Sequence, residues 1–137
     1  MSTFVLDPRL ESSTLPVIDL PLCTVRLSRD STLPWLVMIP RRGGAVELFD
    51  LDPADRLTLM EEIVAVEQAL AAVTGCDKLN VATLGNMVAQ LHIHIFARFK
   101  GDIYWPDSPI GRGEKIPWEP ARRDEIVGKL LDRLSPA

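Results

Sequence analysis

Residues 22–28 alternate apolar and polar side chains, and residues 35–39 form a short apolar run closed by Pro40. Both patterns predict β-strands. The polar stretch of Arg29, Asp30, Ser31 and Thr32 between them suits a turn, so the two strands predict an antiparallel hairpin. After a loop at Arg41, Arg42, Gly43 and Gly44, Asp52 supplies a helix N-cap and Pro53 occupies the first helical position. Leu59, Ile63, Val66, Leu70 and Val73 then recur at steps of four and three, which gathers them on one helical face, and Gly75 stands where the helix can stop.

Beyond this helix, residues 78–84 predict a third strand, Gly85 and Asn86 a turn, and residues 87–99 a longer strand that resumes the alternation and pairs with the third. Residues 101–113 are rich in proline and glycine and predict a loop. Pro120 opens a second helix whose Ile126, Leu130 and Leu134 share a face, although Gly128 within it costs roughly 1 kcal/mol relative to alanine. No repeat, low-complexity run or linker divides the chain. The order strand, strand, helix, strand, strand, helix predicts an α+β domain, with an antiparallel sheet and helices packed on one side.

With 137 residues, 47% of them hydrophobic and 25% charged, the chain has the balance of one folded soluble unit. A net charge of −4 argues against a protein that coats nucleic acid, which needs a basic surface to displace phosphate counterions. A small phosphorylated ligand needs only a local basic cluster. Cys23 and Cys76 are far apart and belong to no Cys-x-x-Cys pair, so they predict free buried thiols and neither a disulfide framework nor a zinc ribbon. Residues 1–13 carry Asp7 and Glu11 and lack the basic-then-apolar pattern of a secretory signal, and no apolar run approaches the ~20 residues that span a bilayer. The expected compartment is the cytoplasm, with no membrane partner.

The only histidines are His92 and His94, and strand geometry predicts Gln90, His92 and His94 on one face with the aliphatic Leu91, Ile93 and Ile95 on the other. The aliphatic face must be core, which leaves the polar one to a cleft or a partner. A neutral imidazole can present one bare nitrogen while the other donates the hydrogen bond that fixes its tautomer. So held, it can attack phosphorus and split a difficult displacement into two easier ones. A neighbouring His94 or Gln90 could hold the phosphoryl oxygens. The same His-x-His spacing also suits a metal, but Phe99 stands where a cupin would place its glutamate, and no third histidine exists. Two histidines merely satisfied within the fold are the remaining alternative. Arg98, Lys100 and Arg112 could attract phosphate, though charges at strand ends and in loops usually face solvent. Among Trp35, Trp105 and Trp118, Trp105 is the best candidate to stack on a base, because it lies in the proline-rich loop just past the histidines.

The run from Gln90 to Phe96 resembles the signature of the histidine-triad (HIT) family, three histidines at alternate positions separated by apolar residues, with glutamine in the first place. Residues 34–42 are similar to the family's early strand, and the helix after Asp52 lies where its long helix would. The resemblance implies a HIT-like fold over residues 1–137, with about five antiparallel strands, one long helix, a C-terminal helix and a homodimer. It carries the nucleophile to His92 and the phosphate contact to His94, with Gln90 as the variant first member of the catalytic set. Asn80 and Asn86 fall where members place nucleotide-contacting polar residues, Trp105 where they vary the substrate pocket, and Arg29 and Asp30 where many have a ribose-binding asparagine. The implied activity is hydrolysis or transfer at the α-phosphate of a purine nucleotide, a dinucleoside polyphosphate or phosphoramidate, through a nucleotidyl-histidine intermediate. No metal or other cofactor and no nucleic-acid polymer is expected. The alternatives are a nucleotide-binding protein with little turnover and a metal-dependent enzyme using His92 and His94 as ligands.

Overall fold

The computed structural model describes residues 3–136. Its elements run α1 (Pro8–Ser13), β1 (Thr14–Asp19), β2 (Cys23–Ser28), β3 (Trp35–Pro40), a 3-10 turn (Leu48–Asp50), α2 (Pro53–Thr74), β4 (Lys78–Ala82), β5 (Ile93–Arg98) and α3 (Pro120–Leu134). The five strands form one antiparallel sheet in the order β1-β2-β3-β5-β4. This is the α+β architecture expected, preceded by a short helix and an edge strand that the hydrophobic pattern did not reveal.

Local chemistry sets the ends of α2. The Asp52 side chain accepts from the Asp55 N–H at 2.8 Å, Pro53 occupies the first turn, and Gly75 closes the helix in the left-handed region at φ 65°. Leu59, Val66 and Leu70 from α2 and Ile126 and Leu130 from α3 are buried against Val25, Leu27, Leu36, Met38, Ile93, Ile95 and Ala97 of the sheet. Glu62, on the same helix, is buried because both its carboxylate oxygens are used, accepting from the Leu22 and Cys23 N–H groups at 2.8 Å each. Cys23 is fully buried and its thiol is pushed up by that burial and by Glu62, while Cys76 is only partly buried.

The other face of the sheet carries a second, smaller core. Val37 and Ile39 of β3 pack there with Leu10 of α1, and Phe4, Leu6, Trp35 and Val88 close around them. The chain before β1 therefore covers the face opposite the helices.

Two strands are shorter than the alternation predicts. β4 ends at Ala82, not at residue 84, and the strand expected over residues 87–99 begins only at Ile93, because its ladder with β3 starts at the Met38 and Ile93 pair. Residues 83–92 form a loop in which Gln90 and His92 sit outside the strand. The apolar and polar alternation continues through this loop because its inward side, at Leu91, still faces the core.

Candidate active site

His94 lies within β5 and His92 just ahead of it, and their rings meet edge to face at 4.8 Å between centroids. His92 is buried, with 6% of its surface exposed, and His94 is half-buried. Both line a cavity of about 720 Å³ on the face of the sheet opposite α2 and α3. Its walls come from α1 and β1 (Leu10, Thr14), from β3 (Trp35, Val37), and from the loops that carry Asn86, Arg29 and Lys115.

The hydrogen bonds of the two rings assign their protons. His92 Nδ1 lies 2.6 Å from the Gln90 carbonyl oxygen. A carbonyl can only accept, so Nδ1 carries the hydrogen, and in the neutral ring it is Nε2 that presents the bare lone pair. The Trp35 indole Nε1–H donates to His94 Nδ1 at 3.0 Å. An indole can only donate, so in His94 the assignment is reversed and Nε2 carries the hydrogen. Burial, and secondarily the neighbouring His92, hold His94 down at about 4, so it stays neutral across the physiological range. One ring thus offers a lone pair and its neighbour an N–H donor, the complementary pair that a displacement at phosphorus requires.

The side chain of Gln90 does not stand beside the two rings as the strand pattern predicted. Its Oε1 accepts from the Asp7 N–H and its Nε2 donates to the Val5 carbonyl, both at 2.8 Å, which pairs the amide with the extended backbone before α1. Arg9 adds a bond from its guanidinium to the Met87 carbonyl at 3.0 Å. Residue 90 therefore orients His92 through its backbone, whatever its side chain, while the glutamine amide fastens the N-terminal segment that walls the cavity. Asp7, beside this junction, is held below the usual carboxylate range chiefly by its hydrogen bond with the Arg9 side chain.

Of the three expected substrate contacts, Asn86 lines the cavity, and Asn80 and Trp105 do not. Asn80 Oδ1 accepts from Arg98 at 2.8 Å, and Trp105 lies over the same guanidinium, 5.5 Å from its centre to the ring centroid. Arg98 itself, expected in solvent, is 1% exposed and forms a two-pronged pair with Asp102 at 2.9 and 3.0 Å. Asp102 also accepts from the backbone N–H groups of Phe99, Tyr104 and Trp105. The Arg98 guanidinium holds the Asp102 carboxyl down at about 2. This far end of β5 is a fully paired brace for the loop that follows.

Trp35 is the residue whose role the sequence concealed. Its rank as a cavity and histidine partner depends on the register that sets Val37 opposite His94 and Trp35 opposite Phe96, which no local signal encodes. Trp118, by contrast, serves the fold, its indole donating to the Ser28 carbonyl at 2.8 Å. Among the described residues, no group of three His, Cys, Asp or Glu side chains gathers in a metal-binding arrangement.

Comparison with known proteins now places the chain. A family model described as the HIT domain matches residues 9–101. The chain belongs to the HIT-domain family. Solved structures agree over nearly its whole length. A histidine triad protein from Bradyrhizobium japonicum is 40% identical with a TM-score of 0.95, covering 97% of this chain and 99% of the other. A histidine triad (HIT) protein from Sinorhizobium meliloti is 39% identical with a TM-score of 0.93, covering 96% and 98%. One from Marinobacter aquaeolei is 34% identical with a TM-score of 0.94, covering 97% of each chain. A comparison with curated proteins finds no match. HIT-family membership carries an expectation of nucleotide binding and hydrolase-type activity. No helix among the described residues is long and apolar enough to cross a membrane.

Proposed function

We propose that this HIT protein, acting as one domain over residues 1–137, hydrolyses purine nucleotides at the α-phosphate through a nucleotidyl-His92 intermediate. The observation that carries the proposal is the pair of adjacent rings in opposite tautomers on one cavity wall. His92 Nε2 attacks the α-phosphorus and forms the N–P bond while the leaving group departs with the electron pair of the broken P–O or P–N bond, an amine also taking up a proton as it leaves. The His92 Nδ1–H stays on the Gln90 carbonyl and stabilises the positive charge that the ring acquires. His94 Nε2–H donates to a non-bridging phosphoryl oxygen. Water then attacks the phosphorus, the N–P electrons return to Nε2, and the water proton passes to solvent as the nucleoside monophosphate leaves. Asn86 and the apolar walls at Leu10, Val37 and Val88 hold the nucleoside. Gln90 is a positioning residue in this scheme, through its carbonyl for His92 and its amide for the N-terminal wall.

Incubation of the protein and of His92→Ala with adenosine phosphoramidates and dinucleoside polyphosphates tests this. Monophosphate release by the parent alone is expected. Tight nucleotide binding by both with release by neither would replace the hydrolase with a binding protein.

A homodimer belongs to the same proposal. Leu57, Met60 and Val64 recur along the face of α2 turned away from the core and stand 73%, 58% and 37% exposed, with Phe49 just ahead at 77% and Val81 exposed on the edge strand β4. So much apolar surface on one helix is characteristic of an interface. Sedimentation should give a dimer, and Met60→Glu should shift it toward monomer.

A further inference from the structure

We propose that Trp35 is a positioning residue that locks His94 as an Nε2–H donor and so restricts turnover to nucleotides whose α-phosphate leaving group can depart as an anion. This rests on the hydrolase reading and narrows its substrate class from anhydrides and phosphoramidates together to anhydrides.

The argument begins with the indole. Trp35 stands on β3 diagonally across from His94, with ring centroids 5.5 Å apart and the Nε1–H bond to Nδ1 at 3.0 Å. A side chain that can both donate and accept in this place would let His94 exchange tautomers and take a proton at Nδ1. An indole has no acceptor nitrogen and does not titrate, so protonating His94 Nδ1 requires breaking that bond. The depressed basicity of His94 and its half-burial act in the same direction.

The groups packed around His94 offer no substitute acid. From β3 it faces Trp35 and Val37, from β4 Ala82, and within β5 Phe96. Among the described residues, His92 is the one imidazole against it, and its Nδ1–H is engaged by the Gln90 carbonyl. Asp7, toward the His92 side, is committed to Arg9. On the cavity wall, Asp30 accepts from the Thr32 hydroxyl and from the Thr32 and Ile116 N–H groups, and Arg29 and Lys115 are cations. Those two basic side chains lie on the loop walls of the cavity and not in the packing around His94. Their charge favours an anionic group near them.

The balance of the first step then selects the leaving group. Forming the His92–P bond expels a group that carries away the electron pair. A phosphate or nucleotide leaves as a stable anion and needs no proton. An alkylamine would leave as an amide ion unless a proton arrived with it, and neutral His94 can supply its Nε2 proton only by becoming an imidazolate. Anhydrides proceed and alkyl phosphoramidates stall.

Two measurements on the intact protein test this. Nitrogen–proton NMR of the imidazole rings should show His94 as the Nε2–H tautomer from pH 7 to pH 5, and Trp35→Phe, which keeps an aromatic ring and removes the donor, should mix the tautomers. The ratio of kcat/KM for a diadenosine polyphosphate to that for an adenosine alkylphosphoramidate should exceed about 100 for the parent, and Trp35→His, which can relay a proton, should lower it by about tenfold or more at pH 6. A ratio taken on one preparation is independent of its folded fraction. An Nδ1–H tautomer for His94 in the turning-over parent, or a ratio near unity, overturns the proposal and leaves the hydrolase reading standing. Absence of release from either substrate class, with His94 in the stated tautomer, defeats the hydrolase reading and the leaving-group restriction with it, and spares only the tautomer assignment.

Discussion

The two ends of β5 present polar groups on the same face of the sheet and use them in opposite ways. At its start, His92 and His94 each spend one ring nitrogen on the protein, on the Gln90 carbonyl and the Trp35 indole, and keep the other toward a cavity. At its end, Arg98, Asp102 and Asn80 spend their polar atoms on one another and on loop N–H groups, and Trp105 lies over the guanidinium. The first cluster is half-satisfied and poised for a ligand, whereas the second is closed and structural. Charge and residue type alone would rank the Arg98 end as the better phosphate site. The count of uncommitted atoms reverses that ranking, because a buried group whose partners are all protein atoms has nothing left to offer a substrate.

Substitutions at the two ends should separate activity from stability. His92→Ala should lower nucleotide release at least about 10³-fold, as removal of a nucleophile does, with the melting temperature nearly unchanged. Arg98→Ala should do the reverse, costing about 3–5 kcal/mol of unfolding free energy in denaturant titration because Asp102 is left buried and unpaired, while kcat per folded molecule stays within a few-fold of the parent. Loss of activity in folded Arg98→Ala at saturating substrate would erase the distinction between the two ends.

Gln90→Ala falls between them. Two hydrogen bonds to the N-terminal segment disappear, at about 1–3 kcal/mol together, but the backbone carbonyl that orients His92 remains. KM should therefore rise and protease should cut earlier near residues 4–9, with kcat changed by less than about tenfold. The smallest effect is expected from acid. The carboxyl of Asp102 is depressed in the folded protein, so its contribution to stability is complete above the unfolded-chain value of about 4 and is lost as pH falls toward about 2. Parent protein should lose stability across that window more steeply than Asp102→Asn does.

Local signals carried much of this architecture in the sequence. The β2 and β3 hairpin and both ends of α2 rest on alternation, an N-cap and a C-cap glycine, all readable within a few residues. Asp7 and Pro8 offer the same N-cap and proline signature for α1, where the Asp7 side chain accepts from the Arg9 N–H, but only Leu10 of that helix is buried and no periodicity follows. β1 was hidden by Pro16, which an edge strand tolerates because one side of its backbone has no partner. The histidines were legible as a cluster facing away from the core. Their proton assignments were not, since these depend on a backbone carbonyl two residues upstream and an indole on a different strand. Asn80 and Trp105 lie away from the cavity for a related reason. Polar and aromatic residues near a motif look available until the buried partner that claims them, here Arg98, is known.

The most direct measurement is a rapid quench into alkali during turnover of a diadenosine polyphosphate labelled at the α-phosphate, followed by peptide mapping. Label on the peptide that contains His92, appearing before free monophosphate and absent from His92→Ala, is the predicted result. Steady release of monophosphate with no labelled peptide at any time would contradict covalent catalysis by His92.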